Sequence, residues 1–164
     1  TLDPEAKCFQ PGVPRIMYLE HPFQIFQTRD HVAITFEWSQ VYRLIYANAQ
    51  PTLHEGIESW MGNSRGRWEG DVLVVEVTDH NDRTWLDAAG NFHSSALRVT
   101  ERYAMRDANT IEYSATIEDP NVFSRPWTIS MPLYRHMEPN AQILEFKCVP
   151  FVEELLYKDL ELSK

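Results

Sequence analysis

Chemistry-capable side chains crowd into one stretch of this 164-residue chain: Asp79, His80, Asn81, Asp82 and Arg83, then Trp85 and His93. Histidine titrates near neutrality, and a carboxylate close by would orient its ring for proton transfer. His80 or His93 is therefore the expected proton-transfer group. Arg83 or Arg43 is the expected stabiliser of an anion. Trp60 and Trp85 could cover a flat or apolar substrate, with Tyr103, Asp119 and Trp127 as further contacts. Read as local chemistry, the same Asp and Asn residues cap turns.

Four charges also interrupt apolar strand faces. Glu101 alternates with Leu97, Val99, Tyr103 and Met105, and Asp79 with Leu73, Val75 and Val77. Asp119 follows Ile111, Tyr113, Ala115 and Ile117, and Arg43 sits between Val41 and Ile45. A charge on such a face is costly to bury unpaired. It either joins an Arg–carboxylate pair that sets register, or it is kept for catalysis with Glu101 or Asp79 as the carboxylate.

His54, Glu55, His80, Asp82 and His93 are donors suited to zinc or iron, but no HxH or HExxH spacing gathers them. A site on His54, His80 and His93 is the weaker alternative, and no metal or other cofactor is expected. Gly-rich phosphate loops and CxxC are absent from the sequence, and Gly62-Asn63-Ser64-Arg65-Gly66, although it has GxSxG spacing, is not expected to be a nucleophile elbow. These residues suit a small-molecule enzyme using acid–base chemistry, of the lyase, hydratase or isomerase type. The alternatives are a non-catalytic carrier of a small hydrophobic or aromatic ligand, and a protein-interaction module.

The elements that must position these groups read as strands. His31–Trp38 alternates Val32, Ile34, Phe36 and Trp38 against Ala33, Thr35 and Glu37, the period of a strand. Similar runs cover 23–28, 41–47, 65–69, 71–79, 96–106, 110–118, 126–135 and 142–148. Residues 1–22 carry four prolines and predict an extended arm, and residues 150–162 predict an amphipathic helix closing on the sheet. The expected fold is all-β: one domain over 1–164, an antiparallel up-and-down, calycin-like barrel of about 8–9 strands. In such a meander the long connections 48–64, 80–95 and 119–125 share one end and form a mouth. The run Val41–Ala47 is apolar on both faces, which predicts a homo-oligomer, most simply a dimer.

The formal charge of −9 disfavours nucleic acid and anionic membrane surfaces as partners. No stretch approaches the roughly 20 apolar residues of a membrane-inserted helix. A chain beginning at Thr1 without a leader fits a processed or trimmed form. Cys8 and Cys148 are either two separate thiols or one disulfide joining the arm to the end of the sheet.

The stretch GNSRGRWEGDVLVVEVTDHNDRTWLDAAGNFHSSALRVTERY, followed by TIEDPNVFSRPWTISMPLYR, resembles a large family of mostly exported bacterial proteins without an assigned activity. The resemblance extends over nearly the whole chain, since Cys8 and Cys148 fall where that family tends to have cysteines. It implies a periplasmic or secreted home and favours the disulfide. It assigns no catalytic residue.

Overall fold

The computed structural model describes residues 2–47 and 56–157. The alternating runs form eight strands: β1 Phe23–Gln27, β2 His31–Phe36, β3 Tyr42–Tyr46, β4 Asn63–Glu69, β5 Val72–Thr78, β6 Arg98–Asp107, β7 Thr110–Glu118 and β8 Trp127–Tyr134. They make one sheet in sequence order, and every pairing is antiparallel except β3 with β4. Alternation decides the faces. In β2, Val32, Ile34 and Phe36 are buried while the residues between them are half-exposed, because successive side chains point to opposite sides of a strand.

The parallel β3–β4 pair corrects the expected meander. Two parallel neighbours need a crossover from one end of the sheet to the other. Connection 47–62 therefore returns the chain to the end where β3 began. From there the ends are regular again: connections 79–97 and 119–126 share one end, which also receives residues 37–41. The Ser39-Gln40 turn thus lies at the loop-rich end, not at the closed one. Residues 28–30, Gly70-Asp71 and 108–109 turn at the opposite end.

The sheet is a curled half-barrel. Its order leaves β1 and β8 as edges, with no ladder between them among the described residues. Residues 142–148, expected as a ninth strand, take irregular backbone instead. The Leu144 N–H donates to Glu37 Oε2 at 2.9 Å, and Phe146 packs against His21 at 4.6 Å between ring centroids. This segment uses a side-chain carboxylate where a ninth strand would use a backbone partner, and runs beside the start of β1 and the end of β2.

The arm is not extended. It forms two 3₁₀ turns, Glu5–Lys7 and Arg15–Tyr18, and residues 11–17 are all buried. Val13, Ile16 and Met17 join the core made by the concave face, including Val75, Val99, Tyr103, Tyr113 and Ile117. Burying each of the three contributes about 1.5–3 kcal/mol. Prolines that predicted an open arm thus shape a plug inside the half-barrel. Arg15 Nη1 and Nη2 donate to Asp3 Oδ1 and Oδ2 at 2.9 and 2.7 Å, and Trp38 Nε1 donates to Glu5 Oε1 at 3.0 Å. Cys8 and Cys148 form a disulfide, and the Phe151 N–H donates to the Ala6 carbonyl at 3.0 Å. Helix α1, Val152–Tyr157, follows directly. Leu155 and Leu156 stay exposed, so it does not close on the sheet as its apolar pattern predicted.

Candidate functional site

The curl of the sheet brings two of the expected charges together across its interior. Arg43 on β3 and Glu101 on β6 lie three strands apart in the sheet order, yet their side chains form a fully buried ion pair. Glu101 Oε1 accepts from Arg43 Nη1 at 3.0 Å, Tyr103 Oη at 3.0 Å and Tyr113 Oη at 2.8 Å. Its Oε2 accepts from Arg43 Nη2, and Arg43 Nε donates to Ser64 Oγ at 2.9 Å. Burial opposes the Arg43 charge, but the Glu101 carboxylate more than offsets it and holds the guanidinium protonated. Burial, followed by the same carboxylate, raises both tyrosines well above their ordinary range. They remain donors. The arm caps this network, with Met17 Sδ 3.7 Å from the Tyr103 hydroxyl.

A second cluster lies at the loop-rich end. His80 is fully buried, and among the described residues its ring nitrogens have no hydrogen bond of good geometry, only a weak contact with the Val77 backbone. Its ring packs edge-on against His93, 5.9 Å between centroids at 71°. Gly62 makes the packing possible: at φ +65° it adopts a left-handed conformation, and a Cβ there would stand 2.9 Å from His80 Cε1 and 2.7 Å from the Thr78 carbonyl oxygen. Burial, then His93 and Arg43, lower the His80 pKa to about 3, although the hydrogen-bonding contact with the Val77 backbone works the other way. His80 is a neutral imidazole at physiological pH.

His93 is more tightly held. Its Nε2 lies 2.6 Å from Thr84 Oγ1 and its Nδ1 3.0 Å from the Ser94 carbonyl oxygen. Asp119 fixes Ser94, accepting from its N–H at 2.6 Å and its hydroxyl at 2.9 Å. His93, Thr84 and Asp119 are all buried. Burial lowers the His93 pKa against the opposing pull of the Ser94 carbonyl, Asp119 and Asp82.

The remaining expected residues divide. Asp79 adopts φ +57° at the end of β5, so it leaves the strand register. Its Oδ2 instead braces the turn, accepting from the Gly56 N–H, Asn63 Nδ2 and Thr78 Oγ1, each at 3.3 Å. Arg83 is exposed and does not join either buried cluster. Trp60 is half-buried and stacks on Phe9 at 5.0 Å, and Trp85 pairs with Phe92 through a β-bridge. Trp127 lies at the start of edge strand β8 against Phe123, 5.7 Å away. Asp82 is exposed, His54 and Glu55 lie outside the described residues, and no metal-competent group of side chains occurs among the described residues. An open cleft of about 260 Å³ is lined by Ser39, Gln40, Phe146, Lys147 and Cys148, of which only Cys148, as a disulfide partner, was singled out from the sequence.

Sequence reasoning missed Thr84, Ser94, Ser64 and the arm. Thr84 stands inside the polar stretch already singled out, but nothing in its spacing marks it. No family model, curated protein or solved structure matches the chain. The chemistry rests on the residues themselves.

Proposed function

We propose that this protein is a cofactor-independent enzyme that moves protons on a small organic molecule, of the lyase, hydratase or isomerase type. His80 and His93 are its proton-handling pair. One observation carries this reading: a fully buried imidazole, with no hydrogen bond of good geometry among the described residues, stands beside a second one held at both nitrogens. Leaving a buried polar group unsatisfied costs about 1–3 kcal/mol, and strained polar groups of this kind cluster where function needs them. The Arg43–Glu101 network, with both partners satisfied, suits holding the interior together better than exchanging protons.

The stacked rings of Trp60 and Phe9 favour a hydrophobic or aromatic substrate. The eight strands and filled concave face favour an opened relative of the calycin-like barrel, with the gap between β1 and β8 where a closed barrel has a ladder. The disulfide favours an oxidising home, periplasmic or extracellular.

The test is solvent deuterium uptake, followed by proton NMR over a panel of small carbonyl compounds, hydroxy acids and enones. Wild-type protein should exchange one carbon-bound proton in at least one compound. His80→Gln should slow that exchange by about 100-fold or more, the scale of acid–base catalysis. No exchange by the wild type across the panel refutes the reading.

A second reading, a self-associating interaction module, has its own support. Phe26, Ala33 and Leu44 are aligned in one outward row across β1, β2 and β3, and Tyr42 lies in the next. Phe26, Leu44 and Tyr42 are exposed there, as a homodimer face would require.

A further inference from the structure

We propose that Thr84 is the side chain through which His93 reaches the substrate, so that hydroxyl and imidazole act as one proton-transfer unit, with Asp119 as a positioning residue. This rests on the acid–base reading above and adds to it the group that meets the substrate.

The hydrogen bonds assign the protons. The Ser94 carbonyl can only accept, so His93 Nδ1 must carry the hydrogen across their 3.0 Å contact. In a neutral imidazole the other nitrogen, Nε2, then holds the lone pair. The Thr84 hydroxyl is therefore the donor across the 2.6 Å contact to Nε2. A hydroxyl pointed at a base, with that base oriented by a third group, is the arrangement that activates side-chain hydroxyls in enzymes. Here the third group is the Ser94 carbonyl, and Asp119 holds Ser94 through both its N–H and its hydroxyl.

The free side of the Thr84 oxygen faces the arm. Gly12 lies directly over it at φ +75°, and a Cβ there would come within 2.9 Å of Thr84 Oγ1 and 3.0 Å of the Trp60 carbonyl oxygen. Only backbone without a side chain fits over this hydroxyl. On this proposal the substrate reaches the hydroxyl only when that stretch of the arm, itself buried, moves aside.

The substrate class follows from the groups present: a small molecule with a C–H bond beside a carbonyl. Its proton passes to Thr84 Oγ1 while the threonine's own proton passes to His93 Nε2. The electron pair of the broken C–H bond remains on the substrate as an enolate, and His93 becomes an imidazolium. Returning that proton by the same route to a different carbon completes an isomerisation. Returning it to a departing β-hydroxyl releases water and completes an elimination. Either way Thr84 and His93 end as they began, and no oxidant or reductant is needed.

Thr84→Val keeps the shape and removes the hydroxyl, whereas Thr84→Ser keeps the hydroxyl. With the compound found active in the deuterium assay, Thr84→Val should slow exchange by about 100-fold at unchanged circular dichroism, and Thr84→Ser should retain most of the rate. Imidazole ¹⁵N spectra of the wild type should show His93 protonated at Nδ1, with a lone pair on Nε2. If Thr84→Val exchanges at the wild-type rate while His93→Gln is inactive, this proposal falls and the broader reading stands. If the wild type exchanges nothing, both fall. A His93 protonated at Nε2 also overturns the proposal, and that measurement decides the matter should the valine variant fail to fold.

Discussion

Glu101→Gln isolates the buried charge pair. The substitution keeps the side chain's length and removes its charge, leaving Arg43 protonated in an interior where it is fully buried. Glutamine offers one oxygen to a site where the carboxylate accepts from both Arg43 Nη atoms, Tyr103 and Tyr113. Its amide donors must then face other donors. Removing one partner of a buried ion pair costs about 3–5 kcal/mol, chiefly because the other charge is left uncompensated. In a domain of this size each kcal/mol lowers Tm by about 2–4 °C, so the expected drop is on the order of 6–20 °C.

Adding Arg43→Met tests the cause of that loss. The double variant has no stranded charge, and the glutamine oxygen still accepts from the tyrosines. It should be more stable than Glu101→Gln alone, since apolar replacements of buried pairs are often neutral or better. Urea unfolding followed by tryptophan fluorescence measures both variants with the disulfide intact. A loss below about 1 kcal/mol for Glu101→Gln would mean that the pair does not hold the interior; so would a double variant no more stable than the single one.

Three further outcomes follow from the same geometry. His80 is held neutral with a pKa near 3, whereas an unfolded histidine takes a proton near 6.5. The unfolded state therefore binds more protons between those values, and stability should fall as pH drops from about 6.5, by up to about 1.4 kcal/mol per pH unit. Chemical denaturation at pH 7, 6 and 5 should show this slope, and His80→Phe should flatten it; equal slopes would place the loss elsewhere. The Cys8–Cys148 bond closes 140 residues of sequence separation, so Cys8→Ser with Cys148→Ser should cost about 4–5 kcal/mol in the loop-entropy model. Mass spectrometry of unreduced, alkylated protein should find no free thiol, and two labelled cysteines would disprove the bond. Light scattering at micromolar concentration should give a dimer that Leu44→Lys dissociates, and a wild-type monomer would remove the outward row of β1–β3 as its interface.

Local alternation in the sequence was enough to place eight of the nine expected strands, because a strand half-buried on a sheet must alternate; it failed at residues 142–148, whose backbone is irregular. It also placed Arg43, Glu101 and Asp119 on inward faces, since a period of two leaves little freedom. Which charges would meet was not legible, because Arg43 and Glu101 are joined only by the curl of the sheet across three strand spacings. Nor was the parallel β3–β4 pair, which depends on the path of a crossover and not on the pattern within either strand. The proline-rich arm misled for a related reason. Proline restricts backbone shape but says nothing of burial, and only the concave face of the folded sheet gave Val13, Ile16 and Met17 somewhere to go. The polar stretch 79–93 was recognisable by composition. Its division into a turn brace at Asp79, a poorly hydrogen-bonded His80 and a held Thr84–His93 pair was decided by tertiary contacts with Gly62, Gly12 and Asp119, each distant in the chain or on another element.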